Sequence, residues 1–384
     1  MAVGDGDDRW RVDQETTLGA AAVRLAVTLF LRGLLIGAFL SAPASGQIFR
    51  WLAFGDSITV GWSDDINPSG GYPGRLENDL GCTPSTCKVV EKGSSGETTA
   101  EGVTRIRQVL NNSGPDPYDV ALIMEGTNDI FQPNNIGSVS IPTIMFNLNQ
   151  MATKAEKAGT EAVLASIIWL HPGGQRGTSR DQLVEDLRDR IRSSTRNNSR
   201  LFADPWSRLC PEGPDQHGHS QYACFWNHDH YWLNGGQPDI VGHPNSSGFR
   251  MIADEFFALI DSTPVPGLAI PTTPSGMIDD ATPILTWTKE SPALASWYQV
   301  RVTGPGGTYF QTWVKASEVC SGSICSTEVS SSLDDDSYAW QVMSRNVRGR
   351  SSWSSPQSFT LGAPAFFADG FESGDTSEWS STVQ

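Results

Sequence analysis

The chain has 384 residues, a net charge of −16 and a hydrophobic content of 38%. At roughly 100–200 residues per domain it holds two or three domains, and this apolar content excludes wholesale disorder. The 27 basic residues are outnumbered by 43 acidic ones and form no cluster, which argues against nucleic acid as a partner.

The N-terminus and the cysteines speak to compartment. A polar stretch, Met1–Glu15, precedes a short apolar run, Gly33–Leu40, flanked by Arg24 and Arg32. Small residues, Ser41 to Ser45, follow. This order predicts a secretory signal peptide over 1–45. The rival reading is an uncleaved anchor, although the unbroken run falls short of the roughly 20 residues of a membrane span. The six Cys fall into local pairs, Cys82/Cys87, Cys210/Cys224 and Cys320/Cys325. An even count in an exported chain predicts disulfides. No C-x-x-C spacing points to zinc. The expected location is secreted, either extracellular or periplasmic, with no membrane span after signal cleavage.

Strand and helix patterns alternate over the domain read at 48–262. Strands are expected at 51–54, 89–91, 120–124, 162–169 and 200–203. Helices are expected at 74–80, 99–110, 143–158, 180–192 and 247–260. The helix at 143–158 places Ile144, Leu148, Met151 and Ala155 on one face, and Gly159 suits its stop. Such alternation predicts a parallel sheet covered on both faces. The stretch 263–276, rich in Pro and Thr, reads as a linker. Short alternating runs from 277 to 361, separated by Gly, Ser and Asp, predict a small antiparallel sandwich. Its length, the Trp of an early strand (Trp287) and a late Tyr-x-Trp (Tyr338, Trp340) resemble a fibronectin type III module. An acidic tail, 362–384, follows.

Four short segments carry chemistry. Gly55-Asp56-Ser57 directly follows the first strand, which puts Ser57 on the rim where parallel sheets bind ligands. The backbone N–H of Ser57, near a helix start, can face an oxyanion. Alone, such a tripeptide is also a common turn. Gly93 to Thr98 follows the second strand; Thr98 and Glu101 form a capping box, and Gly96 lets its amide approach a substrate oxygen. Gly126-Thr127-Asn128-Asp129 follows the third strand. The Asn128 amide can donate to an oxyanion, or the segment is an Asx-type turn. His243 stands just before the last helix, as a solvated loop residue or as the general base for Ser57.

All four segments fall on one rim of the expected sheet. With Ser57, Gly96, Asn128 and His243 in order, the sequence from about 49 to 259 resembles the GDSL, or SGNH, hydrolase superfamily. The flanks Gly71-Tyr72-Pro73 and Ser95 to Thr99 are most similar to its lysophospholipase/arylesterase-type branch. The resemblance implies a flavodoxin-like three-layer α/β/α fold. It implies a serine esterase acting on carboxylic esters without cofactor, with Ser57 N–H, Gly96 N–H and Asn128 forming the oxyanion hole. It also implies an acid three residues before the His, but Ile240 stands there. Asp239, four residues before His243, is the candidate triad acid; otherwise a backbone carbonyl orients His243 and the site is a dyad. The expected substrates are small acyl esters or lipids, or acetyl groups on polysaccharides. A non-catalytic binding or adhesion protein with an esterase-like domain is the rival from another class.

Other features have two readings each. His217, His219, His228 and His230 form either a metal tract or a loop stapled by Cys210–Cys224. Trp226, Tyr231 and Trp232 line a substrate pocket or pack on themselves. Trp287, Tyr298 and Trp340 of the sandwich contact carbohydrate or form its core. The tail around Asp369–Asp375 lacks the 12-residue calcium-loop pattern.

Overall fold

Two architectures follow one another along the chain. The computed structural model describes residues 48–62, 64, 66, 70–114, 117–131, 140–168, 179–209, 233–234, 237–238 and 243–362. The expected signal peptide, the Cys210/Cys224 pair, the His217–His230 tract with its aromatics, Asp239 and the acidic tail beyond Gly362 lie outside the described residues.

Strands β1 (Phe49–Gly55), β2 (Cys87–Gly93), β3 (Val120–Met124), β4 (Glu161–Ala165) and β5 (Leu201–Ala203) form one parallel sheet. Its order is β2-β1-β3-β4-β5. This is the flavodoxin-like order, with a switch point between β1 and β3. Every residue of β3 and β4 is buried, as continuous apolar runs covered on both faces require. Edge strand β2 buries only Val89.

The helices are α1 (Ser57–Val60), α2 (Gly71–Asp79), α3 (Thr99–Asn111), α4 (Thr127–Phe131), α5 (Ile141–Lys157), α6 (Ser179–Asn197), α7 (Pro205–Leu209) and α8 (Ser246–Asp261). Right-handed crossovers that reverse direction at β2 put α2 on one face and α3 on the other. Accordingly α2 packs with α8, and α3 packs with α5. The stripe Ile144, Leu148, Met151 and Ala155 is buried. Ser140 caps α5 by accepting from Thr143 N, and Gly159, at φ 76°, follows its end. At α3 the Glu101 carboxylate accepts from Thr98 N at 2.9 Å, as the capping box predicts, and also from Thr98 Oγ1 at 2.8 Å.

A short hairpin, β6 (Leu233–Asn234) with β7 (Gln237–Pro238), precedes α8. Beyond α8 come β8 (Ile270–Thr273), β9 (Gly276–Ile278), β10 (Ile284–Thr288), β11 (Trp297–Gly304) and β12 (Gly307–Lys315). After a turn of helix, α9 (Ala316–Val319), follow β13 (Cys320–Ser321), β14 (Ile324–Glu328), β15 (Ser337–Asn346), β16 (Gly349–Arg350) and β17 (Gln357–Leu361). One sheet runs β13-β14-β10-β8 and the other β12-β11-β15-β17-β9. All pairs are antiparallel except β17 with β9. Leu285, Trp287, Tyr298, Val300, Trp340, Val342 and Phe359 share one buried cluster between them.

The stretch 263–276 is not all linker: Ile270–Thr273 pairs with β10 at the end of its sheet. Its Pro271 cannot donate to a ladder, which confines it to an edge, and that disguises the strand in sequence. The disulfides Cys82–Cys87 and Cys320–Cys325 are formed. Trp287, Tyr298 and Trp340 are fully buried, so these rings are core and cannot stack on a sugar. No described helix is long and apolar enough to cross a membrane.

The sandwich is joined to the N-terminal ends of the parallel strands. Trp51 Nε1 donates to Val347 O at 3.0 Å, and Val347 belongs to the α/β core. Asp119, just before β3, accepts from Arg50 N at 2.9 Å and from Arg350 Nε at 2.7 Å, with Arg345 Nη1 at 3.4 Å. Arg345 Nη2 donates to Gly159 O at 2.6 Å, and its guanidinium lies 3.8 Å from the centre of the Trp313 ring. Lys315 Nζ pairs with Glu156 at 2.8 Å.

Candidate functional site

The opposite, C-terminal ends of β1, β2 and β3 carry the sequence-predicted residues. Gly55 closes β1 where a Cβ would lie 2.5 Å from Met124 O, so only glycine fits. Asp56 then caps α1, its Oδ1 accepting from Ile58 N at 2.9 Å. This turn sets Ser57 at a helix start on the sheet rim. His243 Nε2 lies 2.9 Å from Ser57 Oγ. His243 stands just before α8, whose start is capped by Asn245 Oδ1 accepting from Gly248 N at 3.0 Å.

Gly96 follows β2 at φ 79°, a left-handed conformation that favours glycine. A Cβ there would meet nothing within 4 Å, so the residue is needed for its backbone path and not for space. Asn128 follows β3 in α4, a short helix where an Asx-type turn was the alternative. Its Nδ2 donates to Glu97 O at 2.8 Å, which ties the third segment to the second. A primary amide carries two such hydrogens, so one bond to the loop leaves one for a ligand. Asp129 fixes the same junction by accepting from Thr99 N at 2.8 Å and Thr99 Oγ1 at 2.7 Å. Ser57, Gly96, Asn128 and His243 therefore stand on one rim. Asp239 lies outside the described residues.

Acidic groups lie beneath this rim. Burial pushes the Asp56 carboxyl up to about 6. It raises Glu125 well above the carboxylate range, helped by the neighbouring Asp56 and Glu97. A side-chain hydrogen bond with Glu97 also favours the protonated form of Glu125. Glu97 is paired with Arg105, whose Nη2 lies 4.0 Å from Glu125. Above the rim, the Trp62 ring centroid is 5.0 Å from that of His243. Trp62 is 54% exposed and is the exposed tryptophan among the described residues.

Chemically, a hydroxyl bonded to an imidazole at a helix start can be deprotonated and attack a carbonyl. Amide donors on the flanking loops can hold the resulting oxyanion. Sequence reasoning missed Arg105 and Glu125. The signal for Arg105 was its place on the buried side of α3, between Gly102 and Ile106. For Glu125 it was an acid closing the wholly apolar run of β3.

The chain resembles an arylesterase of Vibrio mimicus, at 28% identity over 129 residues. That match covers 34% of this chain and 60% of the relative, so the chain spans less than two thirds of its length. Among solved structures, an acetylxylan esterase from Geobacillus stearothermophilus matches at 17% identity. The match covers 56% of this chain and 94% of that one, with a TM-score of 0.43. A lipolytic G-D-S-L family protein from Veillonella parvula matches at 16% identity, over 56% of this chain and 98% of that one, with a TM-score of 0.41. The model of the GDSL-like lipase/acylhydrolase family matches residues 53–251, about half of the chain, with Ser57, Gly96, Asn128 and His243 all inside the match. The chain belongs to the GDSL-like lipase/acylhydrolase family.

Proposed function

We propose that the protein is a serine esterase that cleaves carboxylic esters through an acyl-enzyme on Ser57. The observation that carries this is the 2.9 Å contact between Ser57 Oγ and His243 Nε2 on a rim that also holds Gly96 and Asn128. His243 takes the hydroxyl proton as Ser57 Oγ bonds to the ester carbonyl carbon. The carbonyl oxygen becomes an oxyanion facing Ser57 N–H, Gly96 N–H and the second Asn128 amide hydrogen; each such donor is worth about 10²–10³ in rate. The C–O bond to the alcohol breaks, and the alcohol leaves with the proton from His243. Water then gives a proton to His243, attacks the acyl carbon, and the acid is released as Ser57 regains its hydrogen. Asp239 is the residue we assign to orient His243. Its replacement by Ala separates triad from dyad: a triad loses turnover steeply, as the serine-protease template does by about 10⁴ when its Asp becomes Asn.

Two substrate classes fit. The likeness to an arylesterase favours simple acyl esters. The exposed Trp62 ring beside His243 favours an alcohol part that can stack on it, such as an acetylated sugar. The disulfides and the N-terminal pattern support export, and we read the C-terminal sandwich as fibronectin type III-like. The test is hydrolysis of p-nitrophenyl acetate, butyrate and octanoate, and of acetylated xylan, by the wild type and Ser57→Ala. Activity that vanishes with Ser57 supports the proposal, and the chain-length profile chooses the substrate. A folded wild type inactive on every ester overturns it in favour of a binding protein.

A further inference from the structure

One guanidinium lies behind all the proposed oxyanion donors. Arg105, on α3, donates from Nη2 to Gly55 O at 3.2 Å and from Nη1 to Lys92 O at 3.0 Å. Gly55 ends β1, two residues before Ser57. Lys92 is at the end of β2, four residues before Gly96. The Arg105 Nε and Nη2 also bind both oxygens of the Glu97 carboxylate, and Glu97 O is the acceptor that anchors the Asn128 amide at 2.8 Å. The guanidinium stacks 4.0 Å from the centre of the Phe54 ring, in β1, and Glu125, at the end of β3, lies within 4.0 Å. Thus one side chain reaches the C-terminal ends of three parallel strands, each of which feeds one of the proposed donors.

We propose that Arg105 is the positioning residue of this site, a clamp that fixes Ser57, Gly96 and Asn128 at a common spacing around the oxyanion. The inference rests on the esterase reading above and deepens it. The planar fork is what the position needs: five N–H donors with fixed directions can serve two carbonyls and a carboxylate at once. A lysine keeps the charge beside Glu97 but is a single point of three donors, and cannot span Gly55, Lys92 and Glu97 together. Positioned donors matter because an oxyanion hole acts through geometry fixed in advance, and small displacements weaken every bond to the transition state.

The experiment is Arg105→Lys and Arg105→Gln, each compared with the wild type by melting temperature, by kcat and KM on p-nitrophenyl acetate, and by hydrogen–deuterium exchange of the segment 94–99. For folded variants we expect kcat to fall about 10- to 100-fold with KM within about twofold. This is somewhat less than deleting one oxyanion donor outright, which costs about 10²–10³. Exchange at 94–99 rises while that of β15 does not. Folded variants with kcat within about threefold of the wild type and unchanged exchange at 94–99 overturn the proposal, as does a loss that lies in KM alone. If the wild type hydrolyses no ester, the esterase reading falls, and exchange at 94–99 still decides whether Arg105 holds the loop. If Arg105→Gln does not fold, Arg105→Lys decides, since it keeps the charge next to the buried Glu97.

Discussion

Replacing Glu161 by Gln tests whether the joint between the α/β half and the sandwich is titratable. Glu161 opens β4 with its side chain buried at the joint, among Ser296, Lys315 and Arg345. Its Oε2 has no hydrogen-bond partner. Burial raises its pKa from 4.5 to about 7, although Arg345, Ser296 and Lys315 all favour the charged form. A folded-state pKa above the unfolded one means the folded protein holds the proton more tightly. The stabilisation is then complete below pH 4.5 and is lost as pH rises through 7. A rise from 4.5 to about 7 corresponds to about 3 kcal/mol. Gln is close in shape and cannot ionise. Glu161→Gln should therefore match the wild type at pH 4 and exceed it by up to about 3 kcal/mol at pH 8. At about 2 °C per kcal/mol for a chain of this size, the melting temperature rises by about 6 °C. Thermal and urea unfolding of both proteins at pH 4, 6 and 8 measure this. A variant less stable than the wild type at pH 8 would show that the attraction of Arg345 and Lys315 outweighs desolvation, and would refute the reasoning.

The same signs apply to the whole molecule. Asp56 and Glu125 are also raised by burial, so they too withdraw stability as pH rises. Glu156 and Asp204 are lowered by their bonds to Arg200 and Lys315, and to Arg188 and Ser207; their stabilisation is present above the ordinary carboxylate range and is lost in acid. Maximum stability is expected near pH 4–5, and a melting scan from pH 3 to 9 that peaks at neutrality contradicts it. Arg345→Ala should cost about 3–5 kcal/mol by urea unfolding, because it strips a buried cation from Asp119, which is itself fully buried. The folded fraction of that variant should keep its kcat, since Arg345 and Ser57 lie at opposite ends of the strands; a specific drop in kcat would show that the joint is coupled to the rim.

The α/β half was legible because its signals are periodic. Val120–Met124 is read as a buried strand from five consecutive apolar residues, and the stripe on α5 from its 3.6-residue spacing. Ser57, Gly96, Asn128 and His243 were legible because each follows or precedes an element, so the topology itself gathers them. Arg105 was not, since a single Arg on a helix looks like a solvated residue until the fold brings Gly55 and Lys92 beneath it. Strand β8 was hidden by its proline, and Asn128 sits in a helical turn where propensity alone suggests a loop. The joint was also illegible. Arg345 meets Asp119 and Glu161 only across more than 180 residues of chain, which no local pattern encodes.

The two ends of β3 explain how these parts coexist. Asp119 precedes the strand and Glu125 follows it, about 17–20 Å apart at 3.3 Å per residue. Both are fully buried acids. Asp119 is surrounded by Arg345 and Arg350 from the sandwich, so its charge is compensated by a different part of the chain. Glu125 has one cation nearby, and that cation is already bound to Glu97; its burial raises its pKa and favours the protonated form. The compensated charge ties the sandwich to the base of the sheet, where it cannot obstruct the rim. A protonated Glu125 adds less negative charge beneath the proposed oxyanion, where such charge would oppose that developing in the transition state. The distribution of arginines along one five-residue strand thus keeps the structural joint and the proposed chemistry at separate ends of the same sheet.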